Sequence, residues 1–263
     1  MANPRALVLR TAGTNCDIET QFSLEQAGFS ADRIHVNRII ENPAMLDDYQ
    51  FMLFPGGFSY GDDIASGKIL ASQMIHQLSE PLNRFYDAGK LMLGICNGFQ
   101  ILIKSGLLPW GRVDATTAHR DATLTWNDCG QFLCRWVHMR ADSDKCVFMK
   151  KDEKISLPMA HGEGKFVTTA GEILEKLKTQ DQIALRYVNE DGSDASEAGV
   201  KAANPNGSTD NIAGICDPTG RVMGLMPHPE RFVFATQHPQ WTRREINRAD
   251  GKMFFDNAYE YLK

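Results

Sequence analysis

Short apolar runs alternate with amphipathic stretches through the first hundred residues, and this alternation restricts the folds open to the chain. Strands of a parallel sheet are buried on both faces, so they appear as continuous apolar runs separated by crossover helices. We therefore predict an α/β protein with a mostly parallel central sheet flanked by helices. The predicted strands of this part lie at 6–10, 33–39, 51–57 and 90–96, and the predicted helices at 17–28 and 63–89.

From about residue 110 the pattern changes to strands without long helices between them. Residues 122–127 and 132–139 flank an Asn-Asp-Cys-Gly sequence, which predicts a hairpin. Residues 189–211 are rich in Gly, Ser and Asn and are typical of a long surface loop. Because no repeat or clear linker is present, we expect one domain spanning 1–263 with an inserted β-rich part. Further predicted strands lie at 154–160, 183–189, 211–217 and 221–227.

Composition and charge exclude several classes of function. The formal net charge of −5 offers no basic surface for nucleic acid or for an anionic membrane. No run approaches the ~18 apolar residues of a membrane span, and the first residues lack the pattern of a signal peptide. The six cysteines are few for 263 residues and include no C-x-x-C pair. We expect a reduced, cytoplasmic protein.

Cys96 follows the apolar run 90–95 and lies between two glycines, Gly94 and Gly98. This spacing matches the nucleophile elbow, a sharp strand-to-helix turn that holds its central residue in a strained backbone conformation. The amides of the following helix would favour a thiolate, which is the nucleophilic form of cysteine. The alternative is a buried cysteine that acts only as a small hydrophobe.

His228 and Glu230 provide the partners that such a nucleophile needs. Pro227 and Pro229 forbid a helix here, so the segment is extended and the two side chains project to the same side. Glu230 can then form a hydrogen bond with one imidazole nitrogen of His228 while the other ring nitrogen faces a thiol. This is the relation of orienting group, base and nucleophile in acyl transfer, so we prefer a catalytic triad to a surface turn.

The segment 54–63 contains adjacent glycines after a predicted strand. A backbone amide there, together with the amide of Asn97, would form an oxyanion hole; a plain glycine-rich turn is the alternative. Residues 61–69 also resemble a phosphate-binding loop. Five residues rather than four separate its glycines, however, and Ile69 replaces the serine or threonine that would bind Mg²⁺. We predict no nucleotide site on this chain.

Taken together, these motifs resemble the class I (triad) glutamine amidotransferases, which share a Gly-Gly strand end, a C-x-G-x-Q motif (Cys96, Gly98, Gln100) and a late H-P-E. The resemblance narrows to the glutaminase subunits of phosphoribosylformylglycinamidine synthase, and it implies a flavodoxin-like fold. The segments that carry it are 11–17, 55–63, 94–102, 160–166, 204–208 and 226–231.

The resemblance implies a mechanism and a set of site residues. Cys96 would attack the carboxamide of glutamine, and His228, held by Glu230, would act as acid and then as base. It implies no metal site. The residues implied in glutamine binding, including the oxyanion amides, are Gly57, Phe58, Asn97, Gln100, His161 and Gly162.

The resemblance also implies partners. Ammonia would pass to a separate synthetase subunit of the phosphoribosylformylglycinamidine synthase, which uses ATP to convert formylglycinamide ribonucleotide to its amidine in purine synthesis. A small accessory subunit is a further possible partner. No cofactor is expected on this chain, and ATP and Mg are expected on the synthetase. Two segments depart from the compact form of the family, namely 141–153 and the tail 232–263.

Three other functions remain open on the sequence. The first is a glutaminase that feeds another synthetase, the second is a stand-alone hydrolase with a cysteine nucleophile, and the third is a non-catalytic regulatory subunit. The continuations of segments 55–63 and 160–166 argue against the first, and the C-x-G-x-Q motif argues against the second. The presence of all three triad residues argues against the third.

Overall fold

The computed structural model describes residues 3–114, 116 and 121–263, and this part of the chain contains eleven strands and eight α-helices. The strands are β1 Arg5–Arg10, β2 Ser30–His35, β3 Phe51–Phe54, β4 Leu91–Ile95, β5 Ala122–Thr125, β6 Leu133–Ala141, β7 Lys154–His161, β8 Lys165–Thr168, β9 Ile183–Val188, β10 Ile212–Cys216 and β11 Val222–Leu225. The helices are α1 Asp17–Ala27, α2 Val36–Glu41, α3 Lys68–Gln77, α4 Ser79–Asp87, α5 Asn97–Ser105, α6 Leu107–Trp110, α7 Gly171–Thr179 and α8 Lys252–Leu262. None of the described helices is both long and apolar enough to cross a membrane.

Nine strands form one sheet in the order β2-β1-β3-β4-β11-β10-β9-β6-β7. The pairs from β2 through to β11 are parallel, and those from β11 to β7 are antiparallel. The predicted α/β class is confirmed. The β-rich part does not form a separate body, because most of its strands extend the parallel half of the sheet, while β5 and β8 form a two-stranded sheet of their own.

The parallel half brings four strand ends to one edge. Because β1, β3, β4 and β11 are adjacent and parallel, their carboxyl ends meet there, where ligand sites of open α/β sheets form. The residues that follow them include Cys16, the pair Gly56–Gly57, Cys96 and His228. The topology therefore collects residues that are far apart in sequence.

Burial explains why this half is stable. Every residue of β3 and β4 is buried, and α5 is buried along its whole length because it packs between the sheet and its neighbours. The first helix, α1, ends as predicted at Gly28, whose φ of 106° is a left-handed conformation that favours glycine.

The predicted hairpin of 122–127 and 132–139 is wrong. The first segment, β5, pairs with β8, and the second, β6, pairs with β7 and β9. Both segments are strands, as predicted, but the turn sequence between them does not determine which strands they pair with. A strand with alternating apolar residues can pair with any strand that shares its buried face.

Two further boundaries differ from the prediction. The strand expected at 33–39 ends at His35, whose ring accepts a hydrogen bond from the Asn37 amide at 3.2 Å and caps α2. Val36 and Ile39 are buried three residues apart, which is a helical spacing. The long helix expected over 63–89 is divided into two helices, α3 and α4. Helix α7 was not predicted from the sequence pattern.

The C-terminal tail packs on the domain. Phe254 and Phe255 are fully buried, and Tyr259 meets Phe29 edge to face with ring centroids 5.3 Å apart. Trp241, in contrast, is 52 % exposed. The amide of Gly251 donates to the carbonyl of Phe232 at 2.9 Å, so the tail also supports the turn that follows β11.

Candidate active site

Cys96 lies at the junction of β4 and α5 in a strained conformation, with φ 52° and ψ −107°. A residue other than glycine rarely adopts a positive φ, and such strain is concentrated at functional sites. A Cβ on Gly94 would lie 2.7 Å from the backbone of Gly98, and a Cβ on Gly98 would collide with the carbonyl of Phe54. Both flanking glycines are therefore required for the helix to leave the strand so sharply.

His228 and Glu230 lie together beneath this elbow. The Nδ1 atom of His228 is 2.6 Å from Oε1 of Glu230, and the two residues are only 2 % and 1 % exposed. The amide of His228 donates to the carbonyl of Pro158 at 2.8 Å. The turn that carries His228 and Glu230 is thus held by the edge strand β7.

The electrostatics of His228 favour the imidazolium. Burial, the largest influence, would lower its pKa, but the Glu230 carboxylate and the neighbouring thiols of Cys96 and Cys16 outweigh burial and raise the pKa well above its ordinary value. A cationic imidazole beside a thiol stabilises the thiolate. Interactions with the Cys16 and Cys96 thiols contribute to the raised pKa, so the imidazole lies beside both sulfur atoms.

A second thiol, that of Cys16, shares the site. A Cβ placed on Gly56 would lie 3.1 Å from Sγ of Cys16, 2.8 Å from Cε1 of His228 and 3.4 Å from Cβ of Cys96. Burial raises the pKa of Cys16 to about 11, and only the neighbouring cations oppose this. The sequence pattern did not identify Cys16 as a site residue, although its position after a strand of the parallel half was a usable signal.

The candidate oxyanion donors flank the thiol of Cys96. Asn97 is the first residue of α5, where backbone amides have no acceptor within the helix. Gly57 lines the same cavity with φ 140°, and a Cβ there would lie 2.7 Å from the amide nitrogen of Asn15. The turn formed by 11–16 therefore covers the Gly56–Gly57 pair directly.

A hydrogen-bonded network fixes Gln100. Its Oε1 accepts from Nδ2 of Asn97 at 2.9 Å, and its Nε2 donates to the carbonyl of Glu163 at 2.6 Å. The side chain of Asn97 also accepts from the amide of Ser59 at 3.2 Å. Burial raises the pKa of Asp62, which accepts from Asn97 at 3.3 Å. The network holds one wall of the cavity rigid.

His161 also lines the cavity and is held as a neutral ring. Its Nδ1 lies 3.1 Å from Oδ1 of Asn127, and burial, with a smaller contribution from His228, lowers its pKa to about 3. Beside it, a Cβ on Gly162 would lie 3.8 Å from Trp126 and 3.9 Å from Phe132. Both aromatic side chains are more than half exposed, and Phe132 lines the cavity.

The residues converge on a cavity of about 110 Å³ at the carboxyl edge of the parallel strands. Seven of the residues proposed from the sequence line it, namely Cys96, His228, Gly57, Phe58, Gln100, His161 and Gly162, whereas Glu230 and Asn97 are buried and do not line it. Lining residues that the sequence reasoning missed are Asn15, Cys16, Asp62, Ser66, Phe132, Ala160, Glu163 and Arg231.

A cysteine on a strained strand-to-helix turn, backed by a buried His-Glu pair, is typical of α/β enzymes that carry out acyl transfer with a thiol. The chain belongs to the CobB/CobQ-like glutamine amidotransferase domain family, whose model matches residues 3–262. The resemblance on which the sequence interpretation rested is therefore confirmed.

Relatives and solved structures place the chain more narrowly within this family. It is 42 % identical over 265 residues to the phosphoribosylformylglycinamidine synthase subunit PurQ of Dehalococcoides mccartyi, covering 100 % of this chain and 99 % of the relative. The subunit of that name from Methanococcus maripaludis is 39 % identical, with 98 % and 97 % covered. Among solved structures, PurLQS from Thermotoga maritima matches with a TM-score of 0.74 and 33 % identity, over 99 % of this chain and 100 % of that one.

Proposed function

We propose that this chain is the glutaminase subunit of a phosphoribosylformylglycinamidine synthase. It hydrolyses glutamine to glutamate and ammonia, and a separate synthetase subunit uses the ammonia to convert formylglycinamide ribonucleotide to its amidine. Sequence identity of 42 % and 39 % over the full length to proteins of that name supports glutamine as the substrate and a synthetase as the partner. The observation that carries the chemistry is the strained elbow of Cys96 beside the buried pair of His228 and Glu230.

In the first half-reaction, the thiolate of Cys96 attacks the side-chain carbonyl carbon of glutamine. The carbonyl oxygen becomes an oxyanion, and the amides of Asn97 and Gly57 stabilise it. His228, a cation at this stage, donates its proton to the departing nitrogen, and ammonia leaves as the γ-glutamyl thioester forms. The raised pKa of His228 matches this role, because the ring carries the proton before the attack.

In the second half-reaction, neutral His228 takes a proton from water, and the hydroxide attacks the thioester. The tetrahedral intermediate collapses to glutamate, and the thiolate of Cys96 leaves and is restored. Glu230 keeps the ring in one orientation through its 2.6 Å contact with Nδ1. Because both steps pass through an oxyanion at the same place, one pair of amides serves both.

The walls of the cavity would hold the rest of glutamine. Gln100 and the neutral His161 are polar and held by hydrogen bonds to Glu163 and Asn127, and Gly162 and Phe58 line the same cavity. A neutral His161 adds no second cation next to His228, so it leaves the charge of the triad undisturbed.

The synthetase would bind ATP and Mg²⁺, and this chain would need no cofactor for hydrolysis. PurLQS from Thermotoga maritima supports an assembly with a synthetase and a small accessory subunit. We expect the complex to work in the cytoplasm, where thiols stay reduced.

The test compares glutamine with an ammonium salt as the source of nitrogen. Cys96→Ala, combined with the synthetase, ATP, Mg²⁺ and the ribonucleotide, should lose amidine formation from glutamine and keep it from an ammonium salt. Cys134→Ala is the matched control, because Cys134 is exposed and lies outside the cavity. Unchanged glutamine-dependent synthesis by Cys96→Ala would refute the role of this thiol, and loss of both activities at normal assembly would refute the separation of the two sites.

A further inference from the structure

Helix α1 contacts both segments that supply the proposed catalytic groups. The turn Pro229–Arg231, which follows His228, packs against this helix. At the other segment, the amide of Cys16, the N-cap residue of α1, donates to the carbonyl of Gly56 at 3.2 Å. Because a peptide group is planar, a fixed carbonyl of Gly56 also fixes the direction of the Gly57 N–H, the proposed oxyanion donor. The helix therefore stands between the base and the oxyanion hole.

The side chain of Arg231 connects the turn to this helix. Its Nε donates to Oε1 of Glu19 at 2.9 Å, and its Nη2 donates to Sγ of Cys16 at 3.1 Å. The Cys16 thiol itself donates to Oδ1 of Asn15 at 3.3 Å. A neutral thiol accounts for both sulfur contacts, since it is an acceptor as well as a donor. The guanidinium thus reaches from the turn to the residue that holds the oxyanion peptide.

A second side-chain contact across this junction is longer. The hydroxyl of Ser23 donates to the carbonyl of Glu19 within α1 at 2.8 Å, and it lies 3.4 Å from the carbonyl of Glu230. The amide of Arg231 also closes the turn, because it donates to the carbonyl of His228 at 3.3 Å. Arg231 therefore makes the shorter side-chain contacts and belongs to the backbone of the turn as well.

The contact between Arg231 and Glu19 matters more for catalysis than for stability. The two side chains are 35 % and 37 % exposed, and exposed ion pairs contribute little to folding because water and salt screen them. Catalysis is more sensitive, since a misplacement of ~1 Å costs about 10²-fold in rate. Loss of this contact can therefore slow turnover while the chain stays folded.

We propose that Arg231 is a positioning residue, which holds the turn Pro229–Arg231 in place relative to the Gly56–Gly57 peptide. It acts through helix α1, by its contacts with Glu19 and Cys16. The inference rests on the proposed function, because it concerns the placement of the base and of an oxyanion donor. Arg231 also lines the cavity, so direct binding of the substrate is the competing role.

The two roles are separated by steady-state ammonia release from glutamine, measured on the complex with synthetase, ATP, Mg²⁺ and the ribonucleotide. We expect Arg231→Gln to lower kcat by ~10–10²-fold, up to the cost of a ~1 Å misplacement, and to leave KM for glutamine within about 2-fold. A change in KM that exceeds the fall in kcat would indicate substrate binding and overturn the proposal. An unchanged kcat overturns it as well.

The matched control is Arg33→Gln. Arg33 pairs with Asp17 of the same helix at 3.3 Å, and its side chain is 31 % exposed, but it is not among the described residues that line the cavity. Loss of an ion pair to α1 should therefore leave kcat near the wild-type value when the pair does not involve the turn. An equal fall in kcat for both arginine variants overturns the proposal, because any loss at α1 would then suffice.

Alkylation of Cys96 by iodoacetamide separates positioning from a general loss of structure. This reaction needs the thiolate but forms no oxyanion, and the ring of His228 stays bonded to Glu230 at 2.6 Å. Arg231→Gln should therefore modify the Cys96 peptide to the wild-type extent and with the wild-type pH profile, as measured by mass spectrometry. A fall in alkylation and in melting temperature that parallels the fall in kcat would show a merely structural role and overturn the proposal.

Glu19→Ala is a second variant, made on the helix side of the contact. It should lower kcat by less than Arg231→Gln, because the guanidinium keeps its contact with Cys16. The double variant should be no slower than Arg231→Gln alone, since residues in one contact do not act additively. Fully additive losses in kcat would mean that the two side chains act separately, which overturns the proposal.

The same assay distinguishes failure of this inference from failure of the proposed function. A wild-type complex that releases no ammonia from glutamine overturns the proposed function and this inference with it. An active wild-type complex with an equally active Arg231→Gln variant overturns the inference alone. The expected result is an active wild type, an active Arg33→Gln control and a slow Arg231→Gln variant whose Cys96 still reacts normally.

Discussion

At the residue scale, two thiols share one cavity but differ in their surroundings. Cys96 stands on a strained turn at the start of α5, where helix amides favour an anion. Cys16 is 1 % exposed, and burial raises its pKa to about 11. The same imidazole lies beside both, so the backbone of the elbow, rather than proximity to His228, distinguishes the nucleophile.

The sequence was sufficient to find three of these residues and not the fourth. Glycines at fixed spacing identified Cys96, and the prolines drew attention to His228 and Glu230. The extended segment that the prolines predicted is wrong beyond His228, because Pro229–Arg231 form a 3₁₀ turn with proline at its first position. Cys16 has no such local pattern. Its place in the cavity depends on the pairing of β1 with β3, which is a property of the whole sheet.

Removal of the base should cost more than removal of the group that orients it. His228→Ala should lower ammonia release by ~10²–10⁴-fold or more, the usual contribution of general acid–base catalysis. Glu230→Ala should be milder but clearly impaired, since a lone imidazole still reaches the thiol. The measurement is steady-state ammonia release, with His76→Ala as the control because His76 is exposed and outside the cavity. Near-normal turnover by His228→Ala would show that the triad is wrongly assigned.

At the element scale, local patterns predicted the parallel half of the fold well and the antiparallel half less well. Buried runs such as β3 and β4 have few alternatives, because a strand that is apolar on both faces must lie inside the sheet. The segments β5 and β6 alternate, and such strands accept many partners. The partner of β5 is β8, a strand distant in sequence. The partner of β6 is β7, which follows the long connection 142–153.

The contact between α5 and β3 depends on the absence of a side chain at Gly98. Gly98→Ala would push its Cβ into the carbonyl of Phe54, so we expect a loss of ~1–3 kcal/mol or more in the free energy of unfolding, as for other overpacked cores. Gly171→Ala is the matched control, because Gly171 begins α7 with nothing near its Cβ position. It should stay within ~1 kcal/mol of wild type. Urea unfolding followed by circular dichroism measures both, and equal midpoints would contradict this account of the elbow.

At the scale of the whole molecule, the proposed catalytic site joins both halves of the sheet. Cys96 and His228 follow parallel strands, whereas Pro158 and His161 belong to the antiparallel edge strand β7. The carbonyl of Ala160 lies 3.7 Å from Sγ of Cys96, so that edge returns to the thiol. The resemblance implied His161 and Gly162 as site residues, but no local motif predicted that their strand, β7, pairs with β6 at the antiparallel edge of the sheet.

We expect the chain alone to be a poor glutaminase and the synthetase to activate it. The Gly56–Gly57 peptide is a candidate switch, since rotation of one oxyanion donor away from the site costs about 10²–10³ in rate. The turn 11–16 covers this peptide, with the Phe58 amide bonded to Gly13 at 2.9 Å and the Cys16 amide to Gly56 at 3.2 Å. Docking that moves this turn would therefore change the site.

The measurement for this coupling is glutamate release by the chain alone and then with synthetase, ATP and formylglycinamide ribonucleotide. A rise of roughly 10²-fold or more is the expected result. Equal rates under the two conditions would rule out the coupling and favour a free-standing hydrolase.

The most direct test of the central claim is the position at which a glutamine-like electrophile reacts. A diazo or chloroketone analogue of glutamine should modify the folded chain once, at Cys96, and abolish ammonia release in proportion to the label found by peptide mass spectrometry. Glutamine should protect against it, and Cys16, in the same cavity, should remain unmodified because burial keeps its thiol protonated. Label on Cys16 with activity lost, or label on Cys96 with activity retained, would contradict the assignment of Cys96 as the nucleophile.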